Sequence, residues 1–172
     1  HLDTRFIGVE RLYGKEKYKK ISNAHILVVG VGGVGSWASE SLVRSGIREI
    51  TLVDPDSVCE TNINRQITAL NSTIGKLKVE VLKERFLEIN SELKINIVPD
   101  FFDPRTSDEI LSRKYSFAID SIDSVKNKIH FILSCRDRKI PYLISGGAGG
   151  KRDPSLIRLA DLGESYRDRL LF

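Results

Sequence analysis

Cysteine is scarce in this 172-residue chain: only Cys59 and Cys135 occur, far apart and in no Cys-x-x-Cys pair. That excludes a disulfide framework and a four-cysteine zinc site within these residues, and a reducing cytoplasm is the expected setting. Histidine is nearly as rare. His1, His25 and His130 form no cluster in the sequence and are assigned no chemistry. No apolar run reaches the roughly 18 residues that a membrane-spanning helix needs. The first twenty residues, HLDTRFIGVERLYGKEKYKK, are too charged for a secretory signal peptide. Internal repeats and low-complexity tracts are also missing. A strong charge imbalance is absent: 27 basic against 23 acidic side chains leave +4. Such a mild excess permits a nucleic-acid partner without requiring one.

What is present is ordered. With 41% hydrophobic and 29% charged residues, the chain suits one globular domain over 1–172 with a sizeable core. Strand and helix patterns alternate along it. Apolar, β-branched runs predict strands at 24–30, 49–54, 94–99, 116–120 and 141–145. Helical spacing predicts helices at 34–45, 76–89, 106–113 and 125–138. This order predicts an α/β fold: a doubly wound, mostly parallel, Rossmann-like sheet with helices on both faces. Ligands of such sheets sit at the carboxyl ends of the strands.

After the first strand comes GVGGVG, with Gly30, Gly32 and Gly35 on the G-x-G-x-x-G pattern. The three glycines suit a tight turn, close approach of backbone N–H groups to a phosphate, and tight packing of the next helix. The helix N-terminus then offers partial positive charge to the anion. Asp54 closes the second strand about 20 residues on, where a carboxylate can accept hydrogen bonds from ribose. These features fit NAD and ATP equally well.

The stretch DPDSVCETNINRQITALNSTIGKLKVE separates the two. A triphosphate attacked at its α-phosphorus needs cations to neutralise the departing pyrophosphate. Arg65 and Lys78 are the candidates, and Asn62 and Asn64 can bond phosphate or ribose oxygens. Asn is a poor helix former, so NINRQ is an odd surface run unless it binds something. The fourth strand ends in DSIDS, where Asp120 and Asp123 could ligate Mg²⁺, although Asp123 or Ser124 could instead cap the next helix. After the fifth strand, SGGAGGKRD combines closely spaced glycines with Lys151 and Arg152, which could meet nucleic-acid phosphate. Cys59 is expected to be a buried spectator.

Together these motifs resemble the ubiquitin-activating-enzyme-like adenylyltransferases, from RFIGVERLYG through GVGGVG, Asp54 and Asp56, TNINRQ, GKLKVE and DSIDS. The resemblance implies that Gly30, Gly32, Gly33, Gly35, Asp54 and Asp56 hold adenosine and phosphates. Asn62, Asn64, Arg65 and Lys78 would grip the triphosphate. Asp123 matches the metal-linked aspartate better than Asp120 does, and Arg11 matches an arginine that reaches ATP, in some members from a partner subunit. Within the superfamily, VCETNINRQI, AIDSIDSVKNK and SGGAGGKRDP look most like the branch that uses ATP to cyclise a threonylcarbamoyl-modified adenosine beside the tRNA anticodon. That resemblance implies ATP and Mg²⁺, a tRNA substrate, a homodimer and an accessory sulfur-relay-type protein. Members usually continue for tens of residues beyond position 172, a part absent from this chain. Three alternatives stand beside this reading. One is an adenylyltransferase for a ubiquitin-like or sulfur-carrier protein, which the missing zinc cysteines count against. The second is an NAD-dependent dehydrogenase, which leaves NINRQ, Lys78 and DSIDS idle. The third is an inert nucleotide-binding scaffold.

Overall fold

A computed structural model describes residues 3–165, 168, 170 and 171. Its elements run α1 (Ile7–Tyr13), α2 (Lys15–Ser22), β1 (His25–Val29), α3 (Gly35–Arg44), β2 (Glu49–Val53), α4 (Lys78–Ile89), β3 (Lys94–Val98), α5 (Ser107–Ile110), β4 (Phe117–Asp120), α6 (Val125–Asp137) and β5 (Tyr142–Ile144). All five expected strands form. They build one all-parallel sheet in the order β3-β2-β1-β4-β5. Among the described residues no helix is long and apolar enough to cross a membrane. His1 lies outside them.

β1 has paired neighbours on both edges and helices on both faces, so all five of its residues are buried. That is why it reads as a continuous apolar run, not an alternating one. Ile26 and Val28 face α3 and α4 through Val43, Leu82 and Phe86. Leu27 and Val29 face the other layer, with Phe102, Ile110, Phe131 and Cys135. The strand order reverses beside β1. The chain leaves β1 toward β2 on one side and returns from β3 to β4 on the other. Val29 and Asp120 end level with each other, and the loops that follow diverge to open a crevice.

Three helical features differ from the sequence expectation by more than one residue at an end. The helix expected over 76–89 starts at Lys78, because Leu77 is extended and bridges to Ser57. The helix expected over 106–113 is a single turn, Ser107–Ile110. The helices α1 and α2 were not predicted. They are short and broken apart at Gly14, so no long periodic pattern announces them.

Candidate functional site

Gly30 turns with φ +85°, and a Cβ there would stand 2.8 Å from the carbonyl oxygen of Ser121. A Cβ on Gly35 would fall inside the carbonyl oxygen of Gly30. Neither position has room for any other residue. Gly32 and Gly33 differ, since a Cβ on either would meet only the side chains of Gln66 and Arg65, at 3.5 Å. Their missing side chains leave the cradle open above the N-terminus of α3. Ser36 is fully buried and ties the loop to the helix, its Oγ donating to the Gly32 carbonyl at 2.5 Å.

Asp54 braces this loop from β2. It is buried, and its two oxygens accept from the backbone N–H groups of Val31 (2.8 Å) and Asp56 (2.9 Å). Burial pushes its pKa up, against the pull of those two bonds. The expected ribose contact is therefore left with only the remaining lone pairs of each oxygen. Asp56 is exposed, and its Oδ2 pairs with Lys78 Nζ at 3.0 Å.

Lys78 departs from an ordinary helix lysine. It is buried, and it occupies the first position of α4, where the helix dipole disfavours a cation. Burying an ammonium there is costly for folding, and a bound polyanion would repay it. Asn62 is also buried, and its Oδ1 caps its own turn by accepting from Cys59 N–H at 3.0 Å. Only its amide NH₂ is left for a phosphate. Asn64 is exposed and accepts from Arg65 Nη1 at 2.8 Å, and the same nitrogen donates to the Thr61 carbonyl at 2.9 Å. Arg65 is thus held over Gly33, with its remaining donors free of hydrogen bonds among the described residues.

Two contributors were not recognised from sequence. The Trp37 indole N–H donates to the Arg65 carbonyl at 2.9 Å, fixing that residue to α3. Gln66, next to Arg65 in NINRQ, is buried against Gly32 with its Oε1 unpartnered. Ser121 Oγ, under Gly35, is buried and unpartnered as well. Buried polar groups normally find partners, so two open ones flanking the glycine cradle mark a polar ligand's place.

The two aspartates after β4 separate cleanly. Asp120 is fully buried; it pairs with Lys128 and accepts from Ile122 N–H at 2.8 Å. It is spoken for and does not suit a metal. Asp123 is exposed, and Ser124 takes the helix cap in its stead, accepting from Asn127 N–H. No cluster of three or more His, Cys, Asp or Glu side chains occurs among the described residues.

Arg11 is exposed on α1 and makes no hydrogen bond to the glycine loop among the described residues. The glycine stretch after β5 is pinned: Gly147 N–H donates to Asp168 at 3.2 Å, and Lys151 pairs with the same carboxylate. Lys151 is therefore less available to a phosphate than expected, while Arg152 is exposed. Cys59 is exposed, contrary to the sequence expectation, because its turn protrudes beyond β2. The Thr61 hydroxyl at 3.0 Å draws its thiol below the usual value, while burial pushes Cys135 up to about 12. The native protein should accordingly react with one equivalent of a thiol reagent, and with a second only after unfolding. Rapid titration of both thiols in the native state would contradict this assignment.

A family model described as ThiF family matches residues 4–171. The chain is 48% identical over 169 residues to the tRNA threonylcarbamoyladenosine dehydratase of Haemophilus influenzae, covering 98% of this chain and 65% of that protein. The protein of the same name from Bacillus subtilis is 40% identical over 164 residues, covering 95% and 65%. The crystal structure of Escherichia coli tRNA N6-threonylcarbamoyladenosine dehydratase in complex with ATP superimposes with a TM-score of 0.95 at 48% identity, covering 97% of this chain and 69% of that one. The chain thus spans just under two thirds of the length of these curated relatives.

Proposed function

The chain belongs to the ThiF family, and from that premise we propose that it adenylates the carboxylate of threonylcarbamoyladenosine in tRNA and closes that nucleoside into a ring. The carboxylate oxygen attacks the α-phosphorus of ATP, an acyl-adenylate forms and pyrophosphate leaves. The carbamoyl group of the same nucleoside then attacks the activated carbonyl, loses a proton and expels AMP. Adenylation is needed because carboxylate oxygen is a poor leaving group. The second step is intramolecular, so proximity supplies much of its rate.

The observation that carries this reading is Lys78, a buried cation at a helix N-terminus beside an open glycine cradle. A triphosphate that loses pyrophosphate has more charge to neutralise there than the bridge of NAD has. In the proposed site Lys78, Arg65 and the backbone N–H groups of 30–35 receive the phosphates. Asn62, Asn64, Asp54 and Asp56 serve the rest of the nucleotide. Mg²⁺ suits one carboxylate plus phosphate oxygens, and the uncapped, exposed Asp123 would hold it, supplying charge neutralisation as pyrophosphate departs. The reading brings with it a cytoplasmic setting, an accessory sulfur-relay-type protein and a homodimer. In that dimer Arg11, beside the exposed Leu12 and Tyr13, reaches the partner's ATP.

The test is direct. The protein is incubated with ATP, Mg²⁺ and tRNA carrying threonylcarbamoyladenosine, and the digested nucleosides are weighed. Loss of one water from that nucleoside, with AMP released, is the expected result. Pyrophosphate exchange driven only by a carrier protein's C-terminal carboxylate would overturn the substrate. NAD binding without ATP turnover would overturn the chemistry.

A further inference from the structure

Positive charge is concentrated far from the nucleotide edge. Residues 15–20 hold four cations, Lys15, Lys17, Lys19 and Lys20, against Glu16. Their balance of +3 falls within six residues of a chain whose whole net charge is +4. All four cations are exposed, and none has a carboxylate within 4 Å among the described residues. Elsewhere some cations have found carboxylates, as Arg5, Arg85, Lys94, Lys128 and Arg138 have, and the unpaired ones are scattered along the chain.

The inward side of α2 is occupied by Tyr18, packed on Gly46, and by Ile21 and Ser22. The lysines take the remaining circumference. Helix stability accounts for Lys19 and Lys20, in the last turn of α2, but not for Lys15 and Lys17. Lys15 and Lys17 stand in the first turn of α2, where the dipole disfavours cations. Lys15 and Lys19 are a like-charge pair at i,i+4, which destabilises a helix. A solvated face built only for folding would mix the signs.

We propose that the outer face of α2 is a docking surface for the RNA phosphate backbone, and that it grips the body of the tRNA away from the reacting nucleoside. The proposal rests on the reading that the substrate is a tRNA. α2 runs into the amino end of β1, so this surface and the glycine loop lie at opposite ends of the sheet. The five-residue strand between them is about 17 Å long, a distance that a structured RNA bridges. Lysines are compact point charges that hold phosphates without reading bases. A membrane surface fits less well, because an interfacial helix needs an outward apolar face and the apolar residues of α2 point inward.

The experiment titrates labelled tRNA with the full chain and with the Lys15→Gln/Lys17→Gln/Lys19→Gln/Lys20→Gln variant, from 50 to 200 mM salt. Each lost phosphate contact should reduce the slope of log K against log salt by roughly 0.7–0.9. The variant is expected to bind at least about tenfold more weakly at low salt, with a slope shallower by about two to three. Its ATP affinity and helical circular dichroism should match the parent's. If the fourfold variant does not fold, Lys19→Gln/Lys20→Gln should still lower the slope by about 1.5. An unchanged slope overturns the proposal, as does parental binding to phosphatidylserine vesicles in preference to tRNA. Loss of water from the nucleoside with an unchanged slope would sink the surface alone. A reduced slope without that loss would sink the reaction alone.

Discussion

Lys78→Ala is expected to lower ATP-driven cyclisation by about 10²- to 10³-fold, the effect of deleting one preorganised donor from a developing charge. The reasoning runs from position to chemistry. The Lys78 ammonium sits at the N-terminus of α4 and is held by Asp56 at 3.0 Å, in a spot where folding alone gains little from it. A charge-assisted hydrogen bond contributes roughly 1.5–3 kcal/mol. Realised on a departing pyrophosphate, that amounts to one to two powers of ten, and more where water is excluded. Because the lysine shaft is buried, Lys78→Met is the better companion variant, keeping the packing while removing the charge. Asp56, left unpaired, is mostly exposed and is easily solvated. Both variants should melt within a few degrees of the parent. Nucleoside mass spectrometry after digestion reads the activity, and near-parental cyclisation by Lys78→Met would remove this residue from the mechanism.

The largest stability effect is expected at Lys128. Its ammonium is buried between Asp120 and the Ser145 carbonyl, which it reaches at 3.0 Å, and so joins α6 to the ends of β4 and β5. Lys128→Met leaves the Asp120 carboxylate buried without its partner, at a cost of about 3–5 kcal/mol. That is a large share of the roughly 5–15 kcal/mol a domain of this kind holds. Denaturant titration should show it as a lower midpoint with little change in slope. The sign of the pH dependence follows from Asp120. Burial holds its pKa above the ordinary value of 3.8, and the Lys128 ammonium opposes that push. Without Lys128 the folded state holds the Asp120 proton more tightly still than the unfolded state does. Stability then falls as pH rises from about the ordinary carboxylate value through the raised one. The deficit of Lys128→Met relative to the parent should therefore shrink toward pH 5 and widen toward pH 8. A deficit independent of pH would mean that lost packing, not an unpaired charge, accounts for it. Because Asp120 also receives the Ile122 N–H that shapes the turn before Asp123, activity should fall along with stability.

The aspartates show where reading a sequence stops. Asp54, Asp56, Asp120 and Asp123 all stand at or just after strand ends on the ligand edge, and the sequence marks all four as candidates to touch the nucleotide or its metal. In the fold Asp54 braces the glycine loop, Asp56 holds Lys78, Asp120 is locked to Lys128, and only Asp123 is left uncommitted. Cys59, expected buried, is exposed for a related reason: exposure depends on which distant segment covers a side chain. Trp37 is a clearer case. Nothing in its spacing says that its indole reaches across to the Arg65 carbonyl.

Local constraints made the rest legible. The central strands are apolar because they are covered on both faces, and the cover leaves its mark along Ile26–Val29 of β1. Gly30 and Gly35 were readable because backbone atoms occupy the space of their missing Cβ atoms, so no other residue type can stand there. The order of strands and helices follows from that alternation and from the handedness of parallel crossovers. The sequence by itself thus determined the doubly wound sheet, the glycine loop and the list of charged residues beside it. Only the tertiary structure decided which of those charges are consumed in holding the loop and which remain for a ligand. Burial and pairing are set by contacts between segments tens of residues apart, which no local pattern records.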